Sequence, residues 1–218
     1  MEINVQSVNK SFGPVHVLKN INLQIASAEQ VALVGHSGSG KSTLLYLLGA
    51  LDQPDHGEIF YDQHQLSQLS ERELATFRNH YIGFVFQFHF LLPSMNCLDN
   101  ILLPVQIAHD DLQAAEKLAL QLADYLGVKH CLKKMPFEVS GGEQQRISLI
   151  RAVIMKPRVI LCDEPTGNLD SQNSQKVMSL LRQLALEFKA TLLVVTHDEN
   201  IADSLTRKIV IEDGSIIG

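Results

Sequence analysis

Apolar positions along this chain fall into two kinds of run. Residues 30–34 (QVALV), 159–164 (VILCDE) and 191–196 (TLLVVT) are short and nearly continuous, which predicts strands buried on both faces. Other stretches repeat at helical spacing: Ala115, Leu118, Leu122, Tyr125 and Leu126 form one stripe, and Val177, Leu180, Leu181, Leu184 and Phe188 another. Residues 1–34 read as strands, with Val5, Val8, Val17, Leu18, Ile21, Leu23 and Ile25 on short stretches broken by Gly13-Pro14 and by Asn20. Residues 57–62 (GEIFYD) and 81–86 (YIGFVF) predict two more strands, and 42–51 a helix. From about residue 87 to 139 the pattern turns helical, marking an insertion of about 88–140. Residues 208–211 and 215–217 flank Asp213-Gly214 as a hairpin. Buried strands alternating with helices predict an α/β core in one domain over 1–218.

Composition narrows the partners. With 45% hydrophobic and 19% charged residues the chain has an ordinary globular balance. Its net charge of -6 argues against nucleic acid as a partner and offers no attraction to an anionic membrane face. Apolar runs are too short to span a bilayer, so no direct membrane insertion is expected. The first residues lack the basic and apolar regions of a signal peptide. Cys97, Cys131 and Cys162 are odd in number and without CxxC spacing, which argues against a disulfide framework or a zinc site and suits a reducing cytosol.

Chemistry concentrates in two glycine-bearing segments. Gly35, His36, Ser37, Gly38, Ser39, Gly40, Lys41, Ser42 and Thr43 follow a predicted strand and open a predicted helix, fitting G-x-x-x-x-G-K-[ST]. Glycines let backbone N–H groups turn toward phosphates, Lys41 would reach the β- and γ-phosphates, and the Ser42 hydroxyl would ligate Mg²⁺. Asp163 and Glu164 close a buried strand, where carboxylates are costly unless they serve a cation or a proton. Asp163 suits the Mg²⁺ shell, directly or through water, and Glu164 suits proton transfer from an attacking water. Gln87, after YIGFVF, is placed to touch both Mg²⁺ and that water, and His197, after TLLVVT, to contact the γ-phosphate. The second segment, Ser140, Gly141, Gly142 and Glu143, precedes a helix; Gly141 and Gly142 would allow close backbone approach to an anion, but by itself the segment reads as a helix cap.

The set GHSGSGKST, Gln87, VSGGE, VILCDE, NLD (residues 168–170) and His197, in this order, resembles the nucleotide-binding subunit of ABC transporters over essentially the whole chain. The resemblance implies a P-loop NTPase fold with a RecA-like core, an N-terminal antiparallel β subdomain and the helical insertion. It also implies ATP and Mg²⁺ as cofactors and Mg-dependent ATP hydrolysis. The site would be split across a homodimer: Ser140, Gly141, Gly142 and Glu143 of one copy would bind the γ-phosphate held by Lys41 of the other. Phe12 would stack on adenine, and Asp170 would lie at the dimer interface. Val139 and Glu143 depart from the commonest signature form, and Cys162 stands where a small alanine is more usual.

GFVFQFHFLLP (83–93), DEPTGNLD (163–170) and LVVTHD (193–198) resemble more narrowly the branch containing the ATPases of lipoprotein release, macrolide export and cell division; QFHFLLP is nearest the first. That implies integral membrane permease subunits docking near Gln87–Pro93, close to Phe88, Phe90, Leu91 and Leu92, at the cytoplasmic face of a Gram-negative inner membrane. A soluble repair or translation ATPase would bring coiled-coil insertions or basic arms, and a P-loop kinase has no use for SGGE before a helix.

Overall fold

The buried runs become the centre of a six-stranded sheet. In the computed structural model, which describes residues 1–167 and 169–217, β1 (Ile3–Phe12) and β2 (Val15–Ile25) form a hairpin. β3 (Gln30–Val34) then runs into α1 (Lys41–Leu48). β4 (His56–Tyr61), β5 (His64–Gln65), α2 (Glu71–Tyr81) and β6 (Ile82–Val85) follow. α3 (Cys97–Ala108), α4 (Leu112–Tyr125) and α5 (Gly141–Val153) come next, then β7 (Val159–Asp163), α6 (Ser171–Phe188), β8 (Thr191–Val195), α7 (Glu199–Asp203), β9 (Arg207–Glu212) and β10 (Ser215–Ile217).

One sheet has the order β2-β1-β4-β5, with antiparallel pairing throughout; the other has the order β10-β9-β3-β8-β7-β6. In the second, β9, β3, β8, β7 and β6 are parallel and only β10 runs back. Alternate residues of the parallel strands feed two cores. Ile160, Cys162, Leu192 and Val194 face α3, α4, α5 and α6, while Val159, Leu161, Leu193 and Val195 face α1 and the antiparallel sheet. Burial on both faces is why these strands read as continuous apolar runs. The carboxyl ends of β3, β7 and β8 meet at one edge, where α/β sheets place their ligands.

Three expectations need correction. Tyr81 ends α2 rather than starting a strand. Its carbonyl accepts from Arg158 N at 3.0 Å, so the chain is already at the sheet edge although helical. Residues 71–81, which carried no expected helix, form α2 because Ser70 and Glu73 make a reciprocal capping box. Asn20 does not break its strand: it adopts φ +50° within β2, an irregularity the ladder absorbs.

The helical insertion is anchored by a buried amide. Asn100 on α3, with no exposed surface, accepts from Leu92 N at 2.7 Å and donates to the carbonyls of Leu92, Met95 and Asn96 at 3.0–3.1 Å. These bonds hold residues 92–96 against the helix. α5 meanwhile presses on β6: a Cβ at Gly83 would lie 2.1 Å from the Ala152 carbonyl oxygen. Gly83→Ala must therefore push backbone from backbone, and its stability in urea or thermal unfolding is expected to fall by about 1–3 kcal/mol.

Candidate functional site

The loop from Gly35 to Gly40 is built for close approach. Gly35, at φ +150°, would place a Cβ 2.1 Å from the carbonyl oxygen of Ile211 on β9. Gly40 caps α1 at φ +104°, where a Cβ would meet Leu18 Cδ2 at 2.8 Å and Val17 O at 2.9 Å. No side chain caps α1, so its N-terminal donors are left for a ligand. Ser39 Oγ is buried without a hydrogen-bond partner among the described residues, a second polar group in this loop that a bound anion or water would satisfy.

Lys41 is nearly buried, and its ammonium donates to the carbonyls of Gly35 and His36 at 2.9 and 2.7 Å. Two peptide dipoles thus hold a full charge over the loop, and a phosphate would offer it a stronger acceptor. One residue on, Ser42 Oγ donates to Asp163 Oδ1 at 3.0 Å, joining α1 to the end of β7. Asp163 is only 2% exposed; burial raises its pKa, against the opposing pull of Ser42, Tyr46 and Lys41. A buried carboxylate beside a hydroxyl, next to a cradle for anions, is a donor set suited to Mg²⁺.

Glu164 leaves β7 at φ +48° and is fixed by its N–H, which donates to Val195 O at 3.0 Å. Its carboxylate Oε1 lies 2.9 Å from Nδ1 of His197, which follows β8. The fold therefore brings Lys41, Ser42, Asp163, Glu164 and His197 to one edge, each within hydrogen-bond reach of another member or of the loop that holds it. Gln87 is exposed just past β6. Phe12 ends β1, 53% exposed, with Lys10 Nζ 5.3 Å from its ring centroid. The same hairpin packs Val17 and Leu18 against Gly40.

The second glycine segment is a capped helix start. Ser140 Oγ accepts from Glu143 N at 3.3 Å, while Glu143 Oε2 accepts from Ser140 N at 2.7 Å and Oγ at 2.8 Å. Those bonds, the backbone one foremost, hold the Glu143 carboxyl well below its usual range, at about 2. One carboxylate oxygen of Glu143 is thus engaged by Ser140, while the other faces His130 Nε2 at 2.9 Å. Asp170 caps α6, accepting from Asn173 N at 2.9 Å. Asn168 lies outside the described residues.

Two connections had no expected counterpart. Tyr46 shares the α1 face of Ser42, one turn on, and its hydroxyl is pushed up in pKa by burial and by Asp163; the i, i+4 spacing would have revealed it. Gln145, 1% exposed on α5, accepts at Oε1 from the His89 ring at 2.6 Å and donates through Nε2 to Pro165 O at 2.9 Å. It ties α5 both to the segment after Gln87 and to the turn after Glu164. Arg151, also on α5, donates to the carbonyls of His89 and Phe90.

A phosphate loop joined by a hydroxyl to a buried strand-end carboxylate, on a parallel sheet, defines a P-loop nucleotide-binding domain. The ABC transporter family profile matches residues 18–167, and the chain belongs to that family. It is 45% identical to the lipoprotein-releasing system ATP-binding protein LolD of Bacteroides fragilis (strain YCH46), covering 99% of this chain and 100% of that one. The protein of the same name from Cytophaga hutchinsonii is 43% identical over 95% of each chain. A dimeric post-hydrolysis structure of the ATP-binding cassette MJ0796 with ADP and Pi superposes with a TM-score of 0.93 at 37% identity, covering 99% of this chain and 97% of that one.

A methyl group at Gly40 would be strained by its φ and would collide with β2. Gly40→Ala is expected to weaken binding of a fluorescent ATP analogue by about tenfold or more, the equivalent of roughly 1.4 kcal/mol of strain. Gly127→Ala, equally left-handed at φ +68° but facing open space at the end of α4, is expected to bind the analogue like the unmodified chain.

Proposed function

We propose that this chain is the ATP-hydrolysing subunit of an ABC transporter that drives release of lipoproteins from the inner membrane toward the outer membrane. The observation that carries the enzymatic reading is the assembly at one sheet edge of the Lys41 cradle, the Ser42–Asp163 pair and the Glu164–His197 pair. Near full-length identity to lipoprotein-releasing ATPases supports the cargo.

Adenine stacks on the exposed ring of Phe12, and the triphosphate lies along residues 35–43. Lys41 exchanges the carbonyls of Gly35 and His36 for phosphate oxygens. Ser42, Asp163 and Gln87 would hold Mg²⁺, which when bound neutralises charge on the β- and γ-phosphates. Glu164 takes or orients the proton of the attacking water, and His197, 2.9 Å from its carboxylate, keeps that carboxylate aimed and donates to the γ-phosphate. A second copy closes the site: its Ser140, Gly141 and Gly142 present backbone N–H groups at the start of α5 to the γ-phosphate, where the helix dipole favours negative charge. Glu143 serves by holding Ser140, and Asp170 lies between the two sites.

No helix among the described residues is long and apolar enough to cross a membrane. Exposed Phe90, in the same segment as exposed Phe88 and Leu92, lines an open groove of about 490 Å³ with Leu51, Phe84, Phe86, Ile107 and Met155. Membrane subunits dock there, which holds the ATPase dimer at the cytoplasmic face of the inner membrane of a Gram-negative cell. Gln145 and Arg151 link this docking segment to α5 and to the turn after Glu164, so a push on the groove reaches both halves of the site.

Glu164→Gln keeps the shape of the site and removes the proton acceptor. It is expected to bind ATP, to lose about 10²–10⁴-fold in kcat, and to run as a dimer with ATP and Mg²⁺ by light scattering. A monomer under those conditions would overturn the split site. Depletion of the chain is expected to retain lipoproteins in the inner membrane; normal sorting would favour export of a macrolide or peptide, or a cell-division role.

A further inference from the structure

At the start of α5, where Glu143 caps Ser140, three unlike donors converge. His130 Nε2 lies 2.9 Å from Glu143 Oε1 and 3.3 Å from Cys131 Sγ, and the three ligand atoms lie within 4.8 Å of one another. Their supports are fixed: Cys131 is fully buried in the turn 129–131, and Glu143 sits in the first turn of α5 with its other oxygen engaged by Ser140. The His130 ring is 59% exposed and opens the cluster to solvent.

We propose that His130, Cys131 and Glu143 form a binding site for a zinc-class divalent cation, which clips the turn 129–131 to the start of α5. The donor set selects the metal. A thiolate and an imidazole favour Zn²⁺ and its neighbours over Mg²⁺ or Ca²⁺, which take oxygen ligands. The dimensions agree as well. With bonds of about 2.0–2.3 Å, ligand atoms of a tetrahedral zinc stand about 3.3–3.8 Å apart. The Cys131–His130 edge already has that length, and the His130–Glu143 edge must open by roughly half an ångström, within the freedom of the exposed imidazole. Three protein ligands leave the fourth position to water entering on the His130 side.

Binding displaces one proton. The proton is that of the Cys131 thiol, buried in the turn 129–131. As the metal–sulfur bond forms, the S–H bond breaks and the proton leaves to solvent; no oxidant or reductant is needed. Glu143 binds the metal through Oε1 while Oε2 keeps Ser140, so the clip stiffens the helix start without dismantling its cap. The odd cysteine count and lack of CxxC spacing weigh only against zinc held by cysteine pairs; here one cysteine meets a histidine beside it and a glutamate twelve positions on.

The test uses the whole chain without nucleotide, so it stands or falls apart from ATP hydrolysis. Co²⁺ replaces Zn²⁺ as a spectroscopic probe. One equivalent per chain is expected to produce a near-ultraviolet thiolate-to-cobalt charge-transfer band, bleached by added Zn²⁺. Cys131→Ser is expected to abolish the band, His130→Ala to weaken Co²⁺ binding by at least about tenfold, and Cys97→Ser and Cys162→Ser to keep it. Zn²⁺ is expected to raise the melting temperature of the unmodified chain and leave that of His130→Ala unchanged. No band on the unmodified chain, or a band that survives in Cys131→Ser, would overturn the site and leave the cluster as a hydrogen-bonded helix cap. Should Cys131→Ser fail to fold, the His130→Ala titration decides alone, because His130 is exposed and its removal costs no core packing.

Discussion

The site depends first on where one carboxylate is buried. Asp163 ends β7 almost without exposure. A lone carboxylate there costs several kcal/mol unless something answers it. Here Ser42 donates to it, the Lys41 charge lies nearby, and the first turn of α1 points toward it. That arrangement needs the order β9-β3-β8-β7, which sets the end of β3 near that of β7 with β8 between. The same order puts His197, after β8, beside Glu164, after β7. Strand order, more than any single contact, makes five residues from three sequence segments into one site.

Much of this was legible because buried parallel strands advertise themselves. QVALV, VILCD and TLLVV have no polar face, and each is followed directly by residues with chemistry to do. What hid was governed by local hydrogen bonding rather than hydrophobic period. α2 buries only Leu74 and Phe77, so its stripe is faint, although Ser70 and Glu73 spell a capping box. Tyr81 belongs to an aromatic run that spans a helix end and a strand start, and hydrophobicity cannot see that boundary. Glu143 looked like part of an anion cradle, but the S-x-x-E spacing with Ser140 was equally a capping signal, and the folded carboxylate follows it. Gln145 had no local signal: its partners, His89 and Pro165, are brought to it only by packing of α5 on the sheet.

Glu143 gives the helix start a division of labour. If its carboxylate faced a phosphate it would repel it; turned back on Ser140, it fixes the serine and leaves Gly141 and Gly142 bare. The helix then offers donors without offering a negative charge. Because the remaining oxygen of Glu143 faces His130, the cap is also the point where the turn 129–131 touches the signature segment. A change in that turn at His130 therefore reaches the first turn of α5 directly.

Gln145 extends the same reasoning from the helix start to its body. Its amide satisfies both ends, His89 on one side and the Pro165 carbonyl on the other, in a place with no access to water. Breaking either bond would strand a buried polar group at a cost of about 1–3 kcal/mol, so the two neighbours move with α5 rather than past it. Arg151 repeats the link two turns on, through the carbonyls of His89 and Phe90. The segment that carries the exposed Phe88 and Phe90 is thus fastened to a rigid helix at two points, while its outward face stays apolar and open. Its ties run to the body of α5 and, through Gln145, to the turn after Glu164, and both are satisfied hydrogen bonds.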